Sequence, residues 1–174
     1  MSEIKYEIEK KIGIISSFSN KTFEFNIVKW NGNRGKYDVR KWDDTNPQKG
    51  ITFSYNELLI VYELLKKDRI DPKNNLVPIH LYKTDDSEAK IYRLVGEYKT
   101  LPNGNMTGQI TYTSWGGRAK YDFRNWNSDY SICSKGITMS DNEVDVFINL
   151  IELELNKSSN EEYDTSEIDD LLIK

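Results

Sequence analysis

Tryptophans and basic residues recur at matched positions in the two halves of the sequence, and these are the residue types that could do chemistry. The first set is Lys29, Trp30, Arg34, Lys36, Arg40, Trp42 and Lys49, and the second is Trp115, Arg118, Lys120, Arg124, Trp126 and Lys135. Flat rings beside positive charges suit a ligand that offers stackable planes and a phosphate backbone. Single-stranded nucleic acid is such a ligand, so these are the candidate nucleic-acid-binding residues.

The same pattern also has a purely structural interpretation. A tryptophan at the end of a strand can cover a sheet or pack against a helix, and alternating Lys, Asp and Arg are common on a solvated strand. Four tryptophans at matched positions with matched cations favour binding. The alternative function is a protein-protein adaptor or transcription cofactor that does not bind nucleic acid directly.

No catalytic or metal site is expected. Asp38 and Asp122 are the only repeated carboxylates on the aromatic face, whereas a nuclease gathers several carboxylates around metal ions. One aspartate between a lysine and an arginine is better explained as a group that orients its neighbour. Cys133 and His80 are the single cysteine and the single histidine, which makes a disulfide within the chain impossible and a Cys/His metal site improbable. We therefore predict a non-enzymatic protein without metal or cofactor.

The tryptophan motifs belong to an internal repeat. KYDVRKW at 36–42 returns as KYDFRNW at 120–126, and KGITFS at 49–54 returns as KGITMS at 135–140. Two copies of one small fold explain such a repeat better than one large domain. We expect a first copy at 1–68, a linker at 69–87, a second copy at 88–157 and an acidic tail at 158–174.

Within each copy the hydrophobic period is first that of strands and then that of a helix. Residues 4–15 place Tyr6, Ile8, Ile12 and Ile14 on one face, while Asp38, Arg40 and Trp42 face outward on a later strand. A capping box begins each helix, at Ser54 and at Ser140. The predicted fold is α+β: two tandem copies of a four-stranded antiparallel sheet followed by a C-terminal helix, forming an intramolecular pseudo-dimer. The segment at 76–82 is either an extra edge strand or an apolar strap.

The order KYDVRKW, short loop, KGITFS and capped helix resembles the positive-cofactor-four family of transcriptional coactivators, above all its small bacterial members. The resemblance covers roughly 4–67 and 90–156. It implies a curved sheet and a helix in each domain, dimerisation through the helices, and sequence-tolerant binding of single-stranded DNA in grooves of the sheets. By this resemblance Trp30, Arg40, Trp42 and Lys49 line one groove, and Trp115, Arg124, Trp126 and Lys135 line the other.

The sequence departs from that family in three ways. Two domains share one chain, and the lysine- and serine-rich arm of the eukaryotic members is absent. The second copy has also lost cations, because Ser114 and Asn125 stand where the first copy has Lys29 and Lys41. We therefore expect the two grooves to contribute unequally. DNA and RNA are not distinguished by these residues.

The charge of the chain is unevenly distributed. The net charge is −4, but residues 1–70 carry +3 and residues 158–174 carry −5, so the overall value does not exclude a nucleic-acid partner. The acidic tail has two interpretations. It is either a short helix packed on the body or a mobile segment that contacts a protein partner or competes with nucleic acid for a basic groove.

The sequence contains no apolar run of the ~18 residues that a membrane-spanning helix requires. The N-terminus MSEIKYEIEKK also lacks a signal-peptide core. We expect a cytoplasmic monomer that acts as a pseudo-dimer, does not bind membranes, and has single-stranded DNA or RNA as its partner.

Overall fold

The computed structural model describes residues 3–73 and 77–173, with side chains as far as residue 157. The elements are β1 (Tyr6–Phe18), β2 (Lys21–Trp30), β3 (Lys36–Asp43), β4 (Asn46–Phe53), α1 (Tyr55–Ile70), β5 (His80–Lys83), β6 (Glu88–Thr100), β7 (Met106–Ser114), β8 (Lys120–Asn127), β9 (Ile137–Met139) and α2 (Asp141–Ile173). The strands form two antiparallel sheets, ordered β1-β2-β3-β4 and β5-β6-β7-β8-β9. The predicted α+β class, with antiparallel sheets and a helix after each, is confirmed.

The second sheet has five strands rather than the predicted four. Its extra strand β5 comes from the segment that was expected to join the two copies, and it pairs with the start of β6, where His80 lies opposite Ile91. Of the two interpretations of this segment, the edge strand is correct. Pro78 precedes the paired residues, which is where a strand tolerates proline.

Both helices begin at the capping boxes that the sequence predicts. The Ser54 hydroxyl accepts a hydrogen bond from the Glu57 backbone N–H at 3.2 Å, and the Glu57 carboxylate accepts one from the Ser54 N–H at 2.8 Å. Ser140 and Glu143 repeat this arrangement at 3.2 and 2.9 Å. The apolar stripes of both helices are buried, and they are Leu58, Val61, Leu65, Val144, Phe147 and Ile151. Each helix therefore contributes to the hydrophobic core.

Each helix packs against the sheet of the other copy. Helix α1 contacts β6, and α2 contacts β1. A Cβ atom at Gly13 in β1 would lie 2.5 Å from Cδ2 of Leu150, and a Cβ atom at Gly96 in β6 would meet Leu64 in the same way. The two glycines lie opposite equivalent positions of the neighbouring strands. Absence of a side chain at both points allows the helices to approach the strands closely.

Two ion pairs join the copies in the same reciprocal way. Lys10 of β1 lies 2.9 Å from the buried carboxylate of Glu154 in α2. Arg93 of β6 lies 2.8 Å from Asp68 in α1, and its guanidinium also lies 4.1 Å from the ring centroid of Tyr112. Glu154, Arg93 and Asp68 are largely shielded from water, whereas Lys10 is exposed. Removal of Lys10, or of either member of the Arg93–Asp68 pair, would therefore leave a poorly solvated charge.

The side-chain alternation predicted for β1 is wrong in its second half. Ile14, expected in the core, is 57% exposed, whereas Ile15 is 5% exposed. The ladder between β1 and β2 shifts register three times, including between Ile14 and Ser16. Each shift interrupts the two-residue alternation, so a strand with bulges changes face along its length.

The backbone of α2 extends to Ile173, so it continues through the acidic tail from 158 onward instead of starting a new helix there. The packing or competition proposed for this tail depends on side chains that lie outside the described residues.

We predict that Gly136→Ala destabilises the fold while Gly117→Ala does not. A Cβ at Gly136 would overlap the carbonyl oxygen of Phe123 and lie 2.6 Å from Cβ of Arg124, whereas nothing lies within 4 Å of one at Gly117. Forcing an atom into such a contact costs about 1–3 kcal/mol. Urea unfolding followed by tryptophan fluorescence measures both variants. Equal midpoints for the two variants would contradict the close approach of β8 and β9.

Candidate nucleic-acid interface

A buried aspartate links a tryptophan to an arginine in the first sheet. Asp38 accepts a hydrogen bond from Nε1 of Trp30 at 3.0 Å and bonds from Nε and Nη2 of Arg40 at 3.2 and 3.1 Å. The Arg40 guanidinium lies 4.5 Å from the ring centroid of Trp30. Arg40 also donates to the backbone carbonyl of Gln48 in β4 at 2.8 Å. The arginine is therefore held on several sides.

The second sheet repeats this triad. Asp122 accepts from Nε1 of Trp115 at 2.8 Å and from Nε and Nη2 of Arg124 at 2.6 and 2.8 Å. The Arg124 guanidinium lies 4.4 Å from the Trp115 ring centroid. The aspartates are fully buried, and they orient the arginines as the sequence predicts.

Burial and the neighbouring donor groups have opposite effects on the pKa of these two carboxyl groups. Desolvation raises the pKa of both Asp38 and Asp122, while the hydrogen bonds and positive charges of Arg40 and Arg124 act in the opposite direction. The tryptophan N–H groups also favour the ionised form. The carboxylates are thus surrounded by donors that compensate part of the desolvation cost.

The expectation that Trp42 and Trp126 present open ring faces to solvent is wrong. Their exposed fractions are 2% and 1%. Tyr6, at the start of β1, covers Trp42 with a ring-centroid distance of 5.2 Å, and Tyr82 of β5 covers Trp126 at the same distance. These two tryptophans are part of the packed interior beneath the sheet surface.

The covering tyrosine comes from a different strand in each sheet. Tyr6 also lies 5.7 Å from Trp30, and Tyr82 lies 5.7 Å from Trp115. Tyr82 pairs directly with Ala89 in the β5–β6 ladder. The small side chain of the buried Ala89 leaves space for the tyrosine that the extra strand supplies.

Trp42 and Trp126 share a further property. The indole Nε1 of each is buried and has no hydrogen-bond partner among the described residues. A buried donor without an acceptor costs roughly 1–3 kcal/mol. Because this state occurs at the same position of both copies, the burial of these rings belongs to the repeated fold.

Two adjoining hollows form one surface beside Trp115, which we call the central groove. They have volumes of about 500 and 230 Å³ and share Lys49, Ser87, Trp115, Arg124 and Gly136. The basic residues that line them are Lys41, Lys49, Arg118, Lys120, Arg124 and Lys135. No aspartate or glutamate lines either hollow in the part of the chain that the structure describes. The central groove combines cations from both copies.

The remaining predicted residues are not brought together in one groove. Lys29, Arg34 and Lys36 line a separate hollow of about 910 Å³ that also contains Glu9. The Glu9 carboxylate lies 3.8 Å from Nζ of Lys29. The expected first groove is thus divided, because Lys49 lines the central groove and, together with Trp42, a further hollow of about 460 Å³.

Sequence reasoning missed Lys41 and Tyr82 as parts of this region. Strand alternation assigns Lys41 to the same face as Val39, which is covered by the helices. The structure keeps Lys41 on that face, opposite Phe23 in the β2–β3 ladder. Lys41 lies near the end of β3, where its exposed side chain reaches the groove that the second copy lines. The possible edge strand at 76–82 was the sequence feature that could have indicated Tyr82, because such a strand places Tyr82 beside β6.

Among residues 3–73 and 77–157, no three or more His, Cys, Asp or Glu side chains are grouped as metal ligands would be. A search of the described helices finds none that is both long and apolar enough to span a membrane.

Comparison with known proteins gives one informative relative. No protein-family profile matches the chain. An uncharacterized protein of Treponema pallidum (strain Nichols) is 32% identical over 73 residues, which are 40% of this chain and 86% of the treponemal protein. The relative is therefore about half as long as this chain. Identity at this level over most of its length places this chain in the same protein family as the treponemal protein.

Proposed function

We propose that this protein binds single-stranded nucleic acid, DNA or RNA, with little sequence preference, and that the strand lies in the central groove. The observation that carries the proposal is the meeting of basic side chains from both copies around Trp115, without an acidic side chain among the described lining residues. Cations neutralise phosphates and release condensed counterions, which supplies most of the affinity in sequence-tolerant binding.

Five of the lining cations are available to phosphates. Within the described part of the chain, none of them lies within ion-pair distance of a carboxylate; they are Lys41, Lys49, Arg118, Lys120 and Lys135. Four of these side chains were predicted to bind nucleic acid. Arg124 differs, since Asp122 neutralises its charge and fixes its orientation.

The triad gives the groove a preformed floor. Trp115 is half-buried and is held by its hydrogen bond to Asp122, by Arg124 and by the edge of Tyr82. An apolar surface fixed in this way favours unpaired bases, because they can contact a ring while the backbone follows the cations. Bases in a duplex are already stacked and paired.

We also propose that the chain is an intramolecular pseudo-dimer. The two helix-to-glycine contacts are reciprocal, and so are the Lys10–Glu154 and Arg93–Asp68 ion pairs, as a duplicated dimer interface requires. The treponemal relative, about half as long, supports an origin from a single-copy protein.

We predict that the full chain sediments as a monomer of 20.4 kDa at low micromolar concentration. The buried stripes of α1 and α2 are covered by sheets of the same molecule, so a second chain is not required to cover them. Analytical ultracentrifugation tests this. A stable species of twice that mass would contradict the intramolecular arrangement.

We predict salt-dependent binding to oligo-dT, with duplex DNA of equal length binding more weakly. If the five unpaired cations each contact one phosphate, the slope of log K against log salt is roughly −3 to −4, at about −0.7 per contact. Fluorescence anisotropy of labelled oligo-dT and oligo-U strands at several salt concentrations gives the slope and compares DNA with RNA.

A matched pair of variants controls this measurement. Lys120→Ala should weaken binding and reduce the slope by about 0.7, whereas Lys66→Ala, on α1 and paired with Glu152, should change neither. A zero slope, or a preference for duplex, would reject the proposal and favour the protein-protein adaptor.

A further inference from the structure

We infer that the chain binds one strand tightly rather than two, because Lys41 of the first copy completes the central groove while its counterpart Asn125 leaves the equivalent surface incomplete. The inference rests on the proposed function and adds a residue that the sequence pattern did not assign to the site. It also states the stoichiometry.

The repeat defines what the equivalent surface contains. The central groove takes Lys41 and Lys49 from the first copy and Arg118, Lys120 and Arg124 from the second. The sequence repeat aligns 36–42 with 120–126 and 49–54 with 135–140. By this alignment the equivalent surface is lined by Asn125 and Lys135 of the second copy and by Arg34, Lys36 and Arg40 of the first. At these five positions, only the exchange of Lys41 for Asn125 changes the charge.

The surroundings of the equivalent surface increase this difference. Arg34 and Lys36 line a hollow that contains the Glu9 carboxylate. The register shift between Ile8 and Lys10 in β1 matches the one between Ile91 and Arg93 in β6, so Glu9 corresponds to Tyr92 of the second copy. A carboxylate near these cations opposes a phosphate, while the described lining of the central groove contains no carboxylate.

The surface expected to bind more tightly lies beside the triad of the copy that has fewer cations. The second copy has fewer cations, since Ser114 and Asn125 replace Lys29 and Lys41. Its triad nevertheless forms the better site, because Lys41 reaches it from the first copy. The surface beside Trp30 therefore lacks one positive charge, because it has Asn125 where the central groove has Lys41.

The position of Lys41 suits a phosphate contact. Lys41 is exposed, and its Nζ lies 5.7 Å from the Phe23 ring centroid. Lys41 also lines a neighbouring hollow that contains Glu143 of α2. Desolvation raises the pKa of Glu143, but its hydrogen bonds to Ser140 and Ser16 and the charge of Lys41 lower it overall. Its carboxylate already accepts hydrogen bonds from the Ser140 N–H at 2.9 Å and the Ser16 hydroxyl at 2.6 Å. Lys41 thus remains without an ion pair in the described structure.

The test exchanges the two residues. Isothermal titration with a short oligo-dT strand should give one tight site per wild-type chain. Lys41→Asn should weaken that site several-fold and reduce its salt slope by about 0.7, the value expected for one phosphate contact on a single strand. Asn125→Lys should instead add a second site and raise the stoichiometry toward two.

A second pair of variants locates the strand. Arg118→Ala should weaken binding in the wild-type background, whereas Arg34→Ala at the equivalent position should leave it unchanged. Circular dichroism and the urea midpoint show that each variant is folded. In the double exchange K41N/N125K, the sensitivity should move from Arg118 to Arg34.

The possible failures are distinguishable. Two equivalent sites in the wild-type chain, or equal losses from Arg34→Ala and Arg118→Ala, would overturn the inference while leaving nucleic-acid binding in place. Loss of affinity from Arg34→Ala alone would also overturn it. Absence of binding to every strand tested would reject the proposed function itself.

Discussion

The reciprocal covering of each sheet by the other copy's helix is the constraint on which the rest of the structure depends. A domain of about 65 residues buries too little of its surface to be more than marginally stable. Here the apolar residues of both copies form one continuous core, which includes Phe25 and Val61 from the first copy and Phe123 and Phe147 from the second. Phe25 and Phe147 meet edge to face at 5.2 Å. Separating the copies would expose both sides of this core.

That covering also fixes where polar residues from different copies meet. Since α1 contacts β6 and α2 contacts β1, strands β4 and β9 come into contact with each other. Lys49, which precedes Gly50 on β4, therefore lies beside Arg124 and Lys135. Gly50 and Gly136 permit the close approach of these edge strands to β3 and β8. The central groove is thus a consequence of the core packing, and its rigidity derives from the same contacts.

The repeated sequence predicts the repeated chemistry but not its spatial grouping. The strand pattern, the capping boxes and the aspartate that orients each arginine could all be predicted, because they depend on local sequence and on strand pairs close in the chain. The burial of Trp42 and the contribution of Lys41 could not. Both depend on long-range geometry: Tyr6, which covers Trp42, lies far from it in sequence, and Lys41 reaches a groove that is lined largely by the other copy.

The extra strand shows how two copies with the same core can diverge at the surface. In the first copy Tyr6 belongs to the long strand that starts the sheet, whereas in the second Ala89 is small and Tyr82 arrives from β5. The interior of the tryptophan cluster is conserved by this exchange, although its source in the chain differs. Surface residues face no such requirement, which explains why Lys41 and Asn125 differ while Asp38 and Asp122 do not.

Net charge is a poor guide to such a surface for a physical reason. At physiological ionic strength the interaction between exposed charges decays over about 8 Å, so a phosphate in the central groove responds to the cations around it and not to the sum over the chain. The net charge of −4 includes many charges that lie farther than this from the groove, whereas the lining residues act on contact. The buried Asp122 adds little unfavourable potential there, because Arg124 and the Trp115 N–H bind it directly. Because the buried charge is paired locally, the electrostatic potential in the groove is set mainly by its unpaired lysines and Arg118.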